Sequence, residues 1–127
     1  MVGMKDGDYQ LLREYKEMLL VMSEGFTYVK DNLSEEAPAK VQDVFNDLLA
    51  SFQQLNATHG QLANIFDESD EMEALLNEYK EIVKLLSEWF EKKSNEEKRQ
   101  LLNEKVVPAF EAWKEKIIAF VEPYTVQ

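Results

Sequence analysis

The chain has no cysteine among its 127 residues. Disulfides, thiol nucleophiles, zinc fingers and iron–sulfur clusters are thereby excluded. It has one histidine, three prolines and four glycines, the glycines scattered at positions 3, 7, 25 and 60. No glycine-rich phosphate loop can be assembled from them, and the turn punctuation of a β-rich chain is missing. Positive charge is scarce: 14 Lys and Arg stand against 25 Asp and Glu, a formal net charge of −11 at pH 7. Duplex nucleic acid takes most of its non-specific affinity from phosphate neutralisation, so this balance argues against it as a partner. Anionic membrane surfaces are disfavoured for the same reason. Apolar runs such as Met18-Leu-Leu-Val-Met22 are far short of a bilayer span. The opening residues lack the basic and apolar segments of a signal peptide, and Gly3 does not follow the first Met as myristoylation requires. A cytoplasmic protein is expected.

What is present is helical periodicity. With 45% hydrophobic residues the chain can form a core, and its length fits one domain, 1–127. Four segments carry the pattern and none shows sustained strand alternation. In the first, from about Asp8, residues Leu12, Tyr15, Leu19, Met22, Phe26, Val29 and Leu33 step by alternating threes and fours, a seam of the heptad type. The second, about 37–66, has Pro38 in its first turn and a stripe of Val41, Val44, Phe45, Leu48, Phe52, Leu55, Leu62 and Phe66, with His59 in register. The third, about 70–92, is striped by Met72, Leu75, Leu76, Tyr79, Ile82, Val83, Leu86 and Phe90. The fourth opens at the capping-box pattern Ser94-Asn-Glu-Glu97 and runs through Leu101, Leu102, Val106, Phe110, Trp113, Ile117, Phe120 and Val121 to Pro123.

Short connections make consecutive helices antiparallel neighbours. The expected fold is all-α, a four-helix up-down-up-down bundle of two hairpins, about 8–66 and about 70–122, with residues 1–7 flexible. Three helices packed on a long bent second one is the rival.

The hairpins look duplicated. Glu14-Tyr-Lys-Glu-Met-Leu-Leu-Val-Met-Ser-Glu-Gly-Phe26 aligns without a gap on Glu78-Tyr-Lys-Glu-Ile-Val-Lys-Leu-Leu-Ser-Glu-Trp-Phe90. Gly25 stands where the second copy has Trp89, and a Gly inside a helix costs ~1 kcal/mol relative to Ala. A large side chain, Trp113, is expected to fill that vacancy. Leu20 stands opposite Lys84, and with Val21 it makes the middle of the first helix apolar nearly all round. That helix is either buried on two sides or contributes to an interface.

Catalytic and metal signatures fare poorly. A lone His59 without a converging acid or nucleophile reads as a partly buried, hydrogen-bonded residue. Ferritin-like di-metal sites need Glu-x-x-His pairs, which this chain lacks, and its Glu14/Glu17 and Glu78/Glu81 pairs lie off the stripe. Glu35-Glu36 and Glu96-Glu97 lack the third Glu and the downstream Asp of helical nucleotide pyrophosphohydrolases. The acidic run Asp67-Glu-Ser-Asp-Glu-Met-Glu73 puts Met72 where a calcium loop needs Gly, so it reads as helix-start chemistry, with Ser69 or Asp70 as cap. Asn56-Ala-Thr58 matches a glycosylation sequon in mid-helix, where it carries no weight.

Pro108 should kink the fourth helix and free the carbonyl of Glu104; the favoured reading is a bend that wraps the helix around the bundle, and the other is a groove at the kink walled by Val107, Phe110 and Trp113. Ala109-Phe-Glu-Ala-Trp-Lys114 resembles part of the closing helix of flagellar export chaperones; the likeness spans six residues without a diagnostic motif, and no membership is inferred.

The expected function is a non-enzymatic interaction module that binds a protein partner or itself through an apolar helix face. Leu20, Val21, Val107, Phe110 and Trp113 are its candidate surface. No cofactor, metal, nucleic acid or membrane is expected, and small molecules are disfavoured. One alternative is a small apolar ligand in a pocket beneath Gly25 and Trp113. A remoter one is a metal-dependent hydrolase with an unrecognised carboxylate site.

Overall fold

The computed structural model describes residues 4–125. Four antiparallel rods form the bundle: α1 (Asp6–Asn32), α2 (Ala39–Ile65), α3 (Asp70–Ser87) with a 3-10 extension at Glu88–Glu91, and a composite fourth rod. That rod comprises α4 (Asn95–Leu101), a π segment (Leu102–Val106) and α5 (Val107–Val121), closed by a 3-10 turn at Glu122–Tyr124. α1 lies on α2 and α3 on α5, while α2–α3 and α1–α5 contacts close the ring. The rival arrangement, with the other helices packed on the second, does not occur: α3 packs chiefly on α5. Of the lead expected to be flexible, residues 1–3 lie outside the described residues, and Asp6 and Gly7 already belong to α1.

Local chemistry sets the rod ends. The Asp8 carboxylate accepts from the Lys5 backbone N–H at 3.1 Å where α1 begins. Pro38 stands just before α2, ahead of the first residue that needs an amide donor. The hydroxyls of Ser69 and Ser94 accept from the N–H groups of Met72 and Glu97, at 3.0 and 3.1 Å, satisfying donors that a helix start leaves open. The Asn95 amide donates to the Ser34 carbonyl at 2.7 Å, tying the α1–α2 loop to the start of α4.

All seven seam residues of the first segment are buried, as are Val41, Phe45, Leu48, Phe52, Leu55, Leu62 and Phe66 of the second. Three details differ from expectation. First, Trp89 rather than Phe90 turns inward. From Leu86 the inward direction falls between the third and fourth following residue; the tighter 3-10 turn selects the third. Trp89 then stacks on Phe45 with ring centroids 3.9 Å apart, and Phe90 is left 67% exposed.

Second, the fourth rod is relieved by a π turn rather than by a simple kink at Pro108. The Val107 N–H donates to the Leu102 carbonyl, five residues back. This widening precedes Pro108, whose ring a regular α-helix would force against the Glu104 carbonyl. It also serves the core. Leu102, Val106 and Phe110 are spaced by fours, each step overshooting a helical turn by about 40°. The wider turn absorbs the overshoot, and all three point inward.

Third, Gly25 faces Leu48 rather than Trp113. A Cβ built at Gly25 would stand 3.1 Å from Leu48 Cδ2, so α1 and α2 approach closely there. At Gly60 an added Cβ would meet nothing within 4 Å. Gly60→Ala is therefore expected to stabilise the fold by about 1 kcal/mol, read as a higher urea midpoint. Gly25→Ala gains the same helix propensity but crowds Leu48, so its effect should be smaller or reversed.

The two aligned segments are not equivalently buried. Leu19 and Phe26 are core residues, whereas their counterparts Val83 and Phe90 are half-buried and exposed.

Candidate functional site

At the middle of the bundle α2 brings His59 inward, and helices from three sides close on it. Its Nε2 lies 2.7 Å from the Tyr15 hydroxyl. Tyr79 presents an edge-on ring at 4.4 Å and Trp113 another at 5.8 Å. Burial lowers the imidazole pKa from 6.5 to about 4, so His59 is neutral at pH 7. Burial likewise raises both phenols, with Tyr79 adding to the shift at Tyr15. Each polar tip has a partner: the Tyr79 hydroxyl donates to the Phe52 carbonyl at 2.8 Å and Trp113 Nε1 to the Leu75 carbonyl at 2.9 Å. A neutral base ringed by phenols and an indole has no acid to pair with and little access to solvent. Through these contacts His59 joins α2 to α1, α3 and α5.

The candidate surface residues separate. Phe110 and Trp113 are fully buried, because the stripe 106, 110, 113, 117 and 121 is the inward face of the fourth rod. They are core residues, and the alternative groove beside Pro108 is filled. Val107 is half-buried. Leu20 and Val21 are on the surface, 43% and 61% exposed. Lys16–Glu122 (2.6 Å) and Lys114–Ser23 (2.8 Å) set the α1–α5 register and place Leu20 level with Ile118. The pocket expected beneath Gly25 and Trp113 is occupied by Leu48 and the packed indole.

A surface feature that the sequence reading did not single out lies between α2 and α3. Leu49, Phe52, Gln53 and Asn56 face Val83, Leu86, Ser87 and Phe90 across an open, mostly apolar groove of about 240 Å³. The seams of the fourth rod are bridged by charge: Lys16–Glu122 towards α1, and Lys116–Glu78 (2.7 Å) towards α3. Lys114 adds a 2.7 Å contact to Glu111. Burial tends to raise the Glu111 carboxyl, but hydrogen bonds from Lys114 and Ser23 outweigh it and hold the pKa below its usual range. Among the described residues no ion pair joins α2 to α3. Two signals could have exposed this face in the sequence. One is the absence of Asp, Glu, Lys and Arg from Leu48 to Phe66, and the other is the adjacent pair Trp89-Phe90, of which one helix face can bury only one member.

Among the described residues no three His, Asp or Glu side chains gather closely enough to hold a metal ion. No helix among them is long and apolar enough to cross a membrane. No curated protein and no solved structure gives a significant match to the chain. Residues 10–116, most of the chain, match the family described as a domain of unknown function (DUF8042), and the chain belongs to that family.

Proposed function

We propose that this chain is a non-enzymatic, cytoplasmic protein-interaction module that works through an apolar helix face. The observation that carries the reading is Phe90, an aromatic ring two-thirds exposed at the mouth of the apolar α2–α3 groove. Exposed aromatics beside apolar recesses are the usual anchors of protein interfaces, where charged residues are depleted at the centre. The groove is smaller than the 300–1,000 Å³ typical of small-ligand pockets, which favours a protein surface over a small apolar ligand as its occupant. Leu20 and Val21 offer a second, narrower apolar strip on α1.

Phe90→Glu tests this. The side chain is exposed, so the fold should lose no more than about 0.5 kcal/mol. Proteins retained by the immobilised chain from its source cell, and identified by mass spectrometry, should be lost by the variant. The same set retained by both would overturn the reading.

A further inference from the structure

We propose that the α2–α3 face pairs with the same face of a second copy of this chain, an inference that rests on the interaction reading above. The argument begins with charge. Each copy carries a net −11, so two copies brought together through most of their surface set carboxylates against carboxylates. The α2 stretch Leu48–Phe66 contains no Asp, Glu, Lys or Arg, and its single histidine is buried within the bundle. The eight residues lining the groove are also uncharged. The groove end of this face therefore lets a second acidic chain approach without opposing like charges, whereas Asp67 and Glu73 line a recess at the other end of the same seam. A basic partner would gain its Coulomb energy on the Glu-rich faces elsewhere and nothing here.

Shape points the same way. Phe90 is a knob and the groove beside it is a hole, and both belong to one face. A twofold axis through that face sends each Phe90 into the other copy's groove, the reciprocal contact that defines an isologous dimer. The exposed side of α2 adds Ala50, Gln53, Gln54, Ala57, Gly60 and Gln61, short or neutral side chains that permit close approach.

Size sets the strength. The charge-free part of α2 is about 28 Å long and two adjacent helices are about 20 Å wide, at most roughly 560 Å² in projection, because Asp67, Glu73 and Lys80 line the far end of the same seam. A standard interface takes about 800 Å² per partner. A patch below the standard size belongs to a weak, reversible pairing, to be sought at chain concentrations up to about 1 mM.

The natural absence of cysteine makes a direct test simple. In single-cysteine chains, a short bis-maleimide should link copies of Gln53→Cys and leave copies of Glu115→Cys, on the exposed side of α5, unlinked. Adding Phe90→Glu to Gln53→Cys should reduce linking about tenfold or more. Sedimentation of the unaltered chain should show a concentration-dependent shift towards twice the mass. Equal linking at both cysteines, linking unaffected by Phe90→Glu, or a monomer up to ~1 mM would each overturn self-pairing. A strictly monomeric chain that loses an identified foreign partner on Phe90→Glu would overturn self-pairing and leave the interaction reading standing.

Discussion

Trp113→Ala should cost about 3–5 kcal/mol, a large part of the stability of a domain this size. The indole is fully buried, its ring centroid 5.3 Å from that of Tyr79 and 5.9 Å from that of Phe110. Truncation removes these contacts, leaves a cavity in the middle of the bundle and deprives the Leu75 carbonyl of the Nε1–H donor. Trp113→Phe, which keeps an aromatic ring but not the donor, should cost less, about 1–2 kcal/mol. Urea unfolding followed by circular dichroism distinguishes these outcomes. A loss below about 0.5 kcal/mol for Trp113→Ala would place the residue on the surface, as the groove read from Pro108 had it.

Acid should destabilise the bundle through His59. Its folded pKa, about 4, lies below the ordinary 6.5, so between those values the unfolded chain holds a proton that the folded chain lacks. Stability from this group is complete above about pH 6.5, falls as pH falls, and is spent near pH 4. The gap corresponds to about 3 kcal/mol. The titratable groups facing the imidazole are the phenols of Tyr15 and Tyr79, both kept neutral by burial, so no carboxylate is at hand to stabilise the imidazolium. His59→Gln retains a hydrogen-bonding side chain for Tyr15 and cannot ionise. Its stability should be lower at pH 7 and change less than wild type between pH 7 and pH 5. Parallel pH profiles for the two proteins would remove His59 as the cause.

These two residues show where sequence reasoning reaches and where it stops. The alternation of threes and fours through Leu12, Tyr15, Leu19, Met22, Phe26, Val29 and Leu33 can be satisfied only by burial along one helix face, so that seam was readable. His59 fell on the inward stripe of its helix for the same reason. The partners of Gly25 and Trp113 were not readable, because periodicity gives the direction of a side chain and not which neighbouring rod fills the space. The exchange of Phe90 for Trp89 depends on a single tightened turn, and the π segment on a single widened one. Each shifts the helical phase by a fraction of a turn, a change that only packing against the other rods determines. The aligned segments at Glu14 and Glu78 carry the same caution. Identical residues at Phe26 and Phe90 meet opposite fates because the turns around them differ.

The central claim is that the α2–α3 face of this bundle pairs with the same face of a second copy. Its most direct test is a dilution series of ¹H–¹⁵N correlation spectra on the isotopically labelled chain, from ~1 mM down to about 10 μM. The account predicts shifts confined to the residues around Leu49, Gln53, Asn56, Val83, Ser87 and Phe90. Spectra that do not change with concentration, or shifts centred on Leu20 and Val21, would contradict it.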